Sequence, residues 1–293
     1  MMGREHLANI AHIPESRVVS LVDPNSGSLE RAAQVHGGES QTFSNLHDAL
    51  SGPDFDVVVI ASPNNTHAGV IHEALEHGKH VLVEKPLATT VQDCRKIERL
   101  VETRPGQVVA VGLEYRFMAP TAWLLDTVRA GELGNVRMMT IIEHRFPFLD
   151  KVGAWNRFND NTGGTFVEKC CHFFDLMYQV FRSEPIAVLA SSAETVNHRD
   201  ERYDGREPDI LDNGFVIVEF GGGRRGMLEL CMFAEGSRDE QYISVVGDKA
   251  KAEVRIPSNE CSIGDRRTGI HGVQTKVVQS NAPHQGLHHG SSF

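Results

Sequence analysis

Three groups of residues in this chain are of types and spacings that could do chemistry. The first is a stripe on one helix, expected over residues 165–181. At 100° per residue, with Glu168 set at 0°, His172 falls at about 40°, Asp175 at about −20° and Gln179 at about 20°. Cys170, Phe173, Phe174, Met177, Val180 and Phe181 fall on the opposite, apolar face. A carboxylate four residues before a histidine can orient and polarise the imidazole and make it a general base near neutral pH. The same spacing also fits a solvated face with one i,i+4 pair. The second is Lys85, between the apolar run His80-Val81-Leu82-Val83-Glu84 and Pro86. It reads either as a solvated strand-end lysine or as a cation that binds a substrate oxygen and shifts its pKa. The third is Gly3 with Asp23, about 20 residues apart, the separation between a dinucleotide-binding glycine loop and the acid that takes the ribose hydroxyls. A carboxylate there favours NAD and repels the 2′-phosphate of NADP. Asp23 before Pro24 also reads as an ordinary turn residue. Glu168, His172 and Asp175 could ligate zinc, but no second cluster completes a set, and His288-His289 reads as loop in a Gly/Ser-rich tail. No metal is expected.

The elements around these residues alternate. Strands are expected at 17–22, 56–61, 80–84 and 107–113, and helices at 1–11, 28–36, 45–50, 66–77 and 90–104, with Gly78 ending the fourth helix. Continuous apolar strands between helices indicate a parallel sheet covered on both faces, a doubly wound α/β arrangement. Its ligands bind beyond the carboxyl ends of the strands, where Asp23, the Ser62-Pro63-Asn64 turn and Lys85 stand. After Arg116 the texture changes. A helix at 121–130 and a strand at 136–143 precede loop-like sequence to Gly164, then the 165–181 helix. Strand-like runs follow at 186–196, 210–220, 225–233 and 241–246, joined by Gly-rich turns that suggest antiparallel pairing. This second part is expected to be α+β, with a large open, mostly antiparallel sheet.

Composition narrows the function classes. The chain has 293 residues, 40% hydrophobic and 23% charged, with a net charge of −10, so no basic field attracts nucleic acid. The longest apolar runs are strand-sized, so no membrane span is expected. The five cysteines (Cys94, Cys170, Cys171, Cys231, Cys261) contain no Cys-x-x-Cys pair and suit no disulfide framework, which points to a reducing, cytoplasmic compartment.

Gly3-Arg-Glu-His6, Asp23-Pro24, Ser62-Pro63-Asn64-Asn65-Thr66-His67, Glu84-Lys85-Pro86, Gly112-Leu-Glu-Tyr-Arg116, and Gly163-Gly164 through His172 to Asp175 occur in an order that resembles the Gfo/Idh/MocA oxidoreductases, the family of glucose-fructose oxidoreductase and inositol dehydrogenase. The resemblance covers nearly the whole chain. It implies a Rossmann-like NAD-binding domain at 1–116, a substrate and oligomerisation domain at 117–293, and hydride transfer between nicotinamide and a hydroxyl carbon of a sugar or polyol. Lys85 would hold the substrate hydroxyl, His172 would exchange its proton, and Asp175 or Glu168 would orient His172. Glu168 stands where sugar dehydrogenases of the family often carry Asp. Gly3, Asp23, Ser62, Pro63, Asn64, His67, Glu84, Lys85 and Arg116 would line the cofactor. Arg116, Trp155 and Arg157 would join Lys85 and His172 around the substrate. Two departures stand out: the family's first strand and first two glycines are missing, and residues 287–293 resemble the start of a helix that continues. The chain is therefore expected to be cut at both ends. A non-catalytic sensor on the same fold, or an inactive fragment, are the alternatives. Sensors typically lose the lysine or the histidine, and this sequence keeps both. The open sheet suggests self-association as a homo-oligomer.

Overall fold

The computed structural model describes residues 1–280. The helix expected to start at 287 and the His288-His289 pair lie outside the described residues. The N-terminal part alternates as expected. Helix α1 (Met2–Ile10) leads to β1 (Ser20–Val22), α2 (Ser26–His36), β2 (Gln41–Phe43) and α3 (Leu46–Leu50). Then come β3 (Val57–Ile60), α4 (His67–Glu76), β4 (His80–Glu84), α5 (Val91–Glu102) and β5 (Val109–Gly112). Local sequence sets these limits. The Asn25 side chain accepts from Ser28 N at the start of α2, and Gly37 ends it at φ 63°. Thr90 caps α5 in the same way.

The strands are parallel but fall into two ladders, β1–β2 and β3–β4–β5. Ile60, Val81 and Val83 pack with Ile71, Ala74, Leu75 and Ile97 from α4 and α5. Each Val, Leu or Ile among them contributes roughly 1.5–3 kcal/mol by leaving water. β2 was not expected: Gln41-Thr-Phe43 has no apolar run and is held by its pairing to Ser20–Val22.

The C-terminal part begins with α6 (Ala119–Arg129) and β6 (Val136–His144). The stretch expected to be loop contains a 3-10 turn, Val152–Arg157, and the short helix α7 (Asn159–Thr162). After α8 (Thr165–Glu168) and α9 (Cys171–Phe181) come β7 (Pro185–Ala193), β8 (Asn213–Phe220), β9 (Arg224–Cys231) and β10 (Gln241–Gly247). The chain continues through β11 (Ala250–Ile256), β12 (Glu260–Asp265) and β13 (Val273–Val277). The eight strands form one sheet in the order β13-β12-β11-β10-β6-β9-β8-β7, antiparallel except between β6 and β9. One face carries α6 and α9 on a core that includes Phe173, Leu176, Met177, Ile141, Leu228, Ile243 and Val254. The other face is open, with Phe215 and Ile217 of β8 pointing outward between buried Val216, Val218 and Phe220. β11 and β12 escaped the sequence reading because they mix core and polar residues and leave no continuous apolar run, and β13 because it is exposed along its whole length.

The helix expected over 165–181 is in fact two. α8 ends at Glu168 and α9 starts at Cys171, so the single 100° wheel does not run through Glu168 and His172. The break coincides with a tertiary contact: the Glu168 carbonyl accepts a hydrogen bond from Lys85 Nζ at 2.8 Å.

Candidate active site

The carboxyl ends of β1, β3 and β4 bring together the residues singled out from the sequence. At β3, Ser62 to Asn64 form a turn pinned from several sides. His67 is fully buried, with Nδ1 2.8 Å from the Pro86 carbonyl and Nε2 3.1 Å from that of Ser62. It thereby ties this turn to the Lys85-Pro86 segment. Ser62 Oγ and Thr66 Oγ1 are 2.6 Å apart. Asn64 Nδ2 donates to the Thr162 carbonyl at 3.3 Å and to Glu168 Oε2, and Asn65 Nδ2 donates to Asn161 Oδ1 at 3.1 Å. The turn thus reaches across to α7 and α8.

Lys85 points to the same place. Its Nζ lies 3.5 Å from Glu168 Oε1 besides donating to the Glu168 carbonyl. Burial works against its charge, but Glu168 foremost, with Cys171, Glu84 and Glu114, holds its pKa above the usual lysine value. Lys85 is therefore a fixed cation near neutral pH, suited to steady a negative oxygen and unsuited to shuttling protons. Glu84 faces inward, its Oε1 2.8 Å from His6 Nε2 of α1. Burial raises the Glu84 pKa, but His6 and Lys85 more than offset this and hold it below the usual range.

On α9, His172 is buried and stacks face to face on Tyr115, with ring centroids 4.2 Å apart and planes 10° from parallel. The two carboxylates expected to orient it also hold cations. Glu168 lies on α8 and holds Asn64 and Lys85. Asp175 accepts from Arg116 Nε at 2.6 Å and Nη2 at 2.5 Å, a bidentate pair. Their charge fixes Lys85 and Arg116.

Asp23 Oδ1 accepts from Asn25 N at 2.8 Å, the turn role. Its Oδ2 accepts no hydrogen bond among the described residues, so one carboxylate oxygen is left for a ribose diol. A Cβ added at Gly3 would stand 3.7 Å from Ala61 Cβ, so α1 starts close against the end of β3. These features fit a dinucleotide along this edge. Trp155 is half-buried, and its carbonyl accepts from Asn161. Arg157 is 2% exposed, with Nε 2.9 Å from Glu201 and Nη2 2.7 Å from Asp150. The structure thus commits its guanidinium to two carboxylates of neighbouring loops.

Sequence reasoning missed a polar layer beneath His172. Lys169 Nζ is 2.8 Å from Glu143 Oε1 and donates to Tyr115 Oη at 2.9 Å. Arg145 also reaches Glu143, at 3.3 Å, and Gln241 Nε2 donates to Tyr115 Oη at 3.2 Å. Glu143 is fully buried on the core side of β6 beside Met139 and Ile141. A carboxylate in a core register was the signal available. Glu114, next to Tyr115, is pushed up to about 7 by burial and by Glu84. Lys151 is lowered by burial and by Lys85, against the pull of Glu168. Among the described residues no group of three or more His, Cys, Asp or Glu could hold a metal ion.

A parallel α/β unit with polar residues at its strand ends, packed against an open-sheet unit whose α8–α9 segment docks on a fixed lysine, defines a nicotinamide-type oxidoreductase architecture. Comparison with known proteins gives the family. Residues 1–113 match the model of an oxidoreductase family with an NAD-binding Rossmann fold, and residues 126–287 match its C-terminal alpha/beta domain. The chain belongs to the Gfo/Idh/MocA oxidoreductase family. It is 27% identical over 268 residues to the scyllo-inositol 2-dehydrogenase (NAD(+)) of Bacillus subtilis, covering 91% of this chain and 72% of that protein. It is 29% identical over 255 residues to the inositol 2-dehydrogenase of Salmonella typhimurium, covering 87% and 71%. The structure of levoglucosan dehydrogenase in complex with NADH superposes with a TM-score of 0.82 at 21% identity, over 97% of this chain and 79% of that one.

Proposed function

We propose that the protein is an NAD-dependent dehydrogenase that oxidises a secondary hydroxyl of a sugar or polyol, or runs the reverse reduction. The observation that carries this reading is Lys85, a fixed cation at the end of β4, donating to the Glu168 carbonyl four residues before the buried His172, so that the α8–α9 segment docks on this lysine. Bound NAD supplies the hydride acceptor. Gly3, Asp23, Ser62, Pro63, Asn64, His67, Glu84 and Arg116 line or support its site, with Asp23 favouring NAD over NADP. Lys85 binds the substrate oxygen and stabilises it as the proton leaves, and the imidazole of His172 takes that proton. Glu168 holds Lys85 in place with Asn64, and Asp175 holds Arg116. Trp155 and Arg157 belong to the segment that walls the substrate.

The division into cofactor and substrate domains falls near residue 116. We place the protein in the cytosol, in keeping with its free cysteines; no helix among the described residues is long and apolar enough to cross a membrane. Homo-oligomerisation is proposed through the open sheet face, where Leu189, Phe215, Ile217 and Met138 are exposed.

The test is a titration with NADH by fluorescence, followed by a screen of myo-inositol, scyllo-inositol and simple aldoses with NAD for absorbance at the nicotinamide band. Saturable NADH binding and turnover of at least one compound are expected. Binding with no turnover across the panel supports a sensor, and absence of binding overturns the cofactor assignment.

A further inference from the structure

We propose that Tyr115 and Lys169 are positioning residues for His172: the stacked phenol fixes the plane of the imidazole, and the buried ammonium behind it keeps the imidazole neutral and ready to accept a proton. The inference deepens the role proposed for His172 and rests on it. Tyr115 and His172 are in parallel contact at 4.2 Å, and both are almost fully buried. Tyr115 Oη is anchored by Lys169 Nζ at 2.9 Å and Gln241 Nε2 at 3.2 Å, so the ring cannot slide. Lys169 Nζ is 5.2 Å from the Tyr115 ring centroid, which puts the ammonium within 10 Å of the imidazole.

The charge balance gives the direction. Burial lowers the Lys169 pKa and Glu143 pulls it back up; the ammonium and Arg145 share that single carboxylate, which leaves one excess positive charge in a buried layer. The other charged groups around His172 mostly pair off. Lys85 faces Glu168, and Arg116 holds Asp175. Glu114, next to Tyr115, is pushed up to about 7 and so is partly protonated near neutral pH, and Lys151 lies near Lys85. Burial pushes the thiols of Cys170 and Cys171 up, the latter to about 11, so both stay uncharged. The unbalanced charge therefore lies on the Tyr115 side and disfavours an imidazolium. Stability offers no reason for an ammonium here, because replacing a buried ion pair by apolar side chains is often neutral or stabilising.

The test reads His172 directly. In protein labelled at histidine with 13C, the Cε1–Hε1 resonance of His172 is assigned by its loss in His172→Asn and titrated with pH. Lys169→Met is expected to raise its midpoint by roughly one pH unit, as one charge at such a distance in a protein interior would. Lys169→Arg restores the wild-type midpoint. Tyr115→Leu moves the proton resonance downfield through loss of the stacked ring's shielding. An unmoved midpoint in Lys169→Met, with the other histidine resonances in place, overturns the proposal. Should that variant unfold, Lys169→Gln makes the same change of charge with a polar side chain and is read in the same way. On a turned-over substrate, the acid limb of the kcat profile moves up with the midpoint in Lys169→Met. Full activity of His172→Asn would instead sink the catalytic role of His172, which the titration does not depend on.

Discussion

Glu114 provides an energetic test of how the site is built. It sits on the 3-10 turn Glu114–Arg116 and is 7% exposed. Burial and the Glu84 carboxylate push its pKa from an ordinary 4.5 up to about 7, against the opposing pull of Lys85, Lys169 and His6. The folded protein therefore keeps a proton that the unfolded chain releases at lower pH. With more protons bound in the folded state, stability falls as pH rises through this window and levels off above it. A shift of this size corresponds to roughly 3 kcal/mol, of which about 2–3 kcal/mol is lost between pH 5 and pH 8. Glu114→Gln removes the titration. Urea unfolding of both proteins at the two pH values should show the variant gaining about 2–3 kcal/mol on the wild type from pH 5 to pH 8. Any constant offset from the new amide cancels in that difference. A difference that changes by less than about 0.5 kcal/mol refutes the buried, proton-holding Glu114 and the crowding of carboxylates behind Lys85.

Three further outcomes follow from the geometry. Glu84→Gln takes the charge out of the buried contact to His6 and should lower stability at neutral pH by about 1.5–3 kcal/mol, the worth of a hydrogen bond to a charged group, measured by the same unfolding. Because the Glu84 pKa is depressed, that contribution is present above the ordinary carboxylate range and is lost as pH falls through the lowered value. Gly163→Ala should cost about 1–3 kcal/mol, since Gly163 holds φ +82° and the added Cβ would stand 2.8 Å from the Thr89 carbonyl oxygen; an unchanged melting temperature would contradict this. Asp23→Ala should weaken NADH binding at least about tenfold, the lower end for a hydrogen bond to a charged group, while leaving NADPH less affected. Equal loss for both dinucleotides would remove Asp23 from the ribose site.

Much of the fold was legible because parallel strands buried on both faces write continuous apolar runs, as in Val57–Ile60 and His80–Glu84. Asn25, Thr90 and Gly37 set helix ends by local hydrogen bonds or backbone freedom, which sequence carries directly. β11 and β12 were hidden by their mixed core and polar residues, and β13 by its full exposure. At the site, Lys85, His172, Asn64 and Asp23 were found because motif order located them. Their partners were not. The helix over 165–181 was read as unbroken because a periodicity argument has no term for a lysine from β4 that takes a helix carbonyl. Tyr115, Lys169 and Glu143 come from three separate stretches of chain, and nothing in one-dimensional spacing brings them beneath one imidazole.

The central claim is that Lys85 and His172 act together on one substrate oxygen. It is tested by kcat for NADH formation in Lys85→Ala and His172→Ala, each checked for folding and for NADH binding. The account predicts that each loses about 10²–10⁴-fold in kcat, the range for a lost general base or a lost oxyanion partner, while NADH still binds. A loss of less than about tenfold in either folded variant would contradict it.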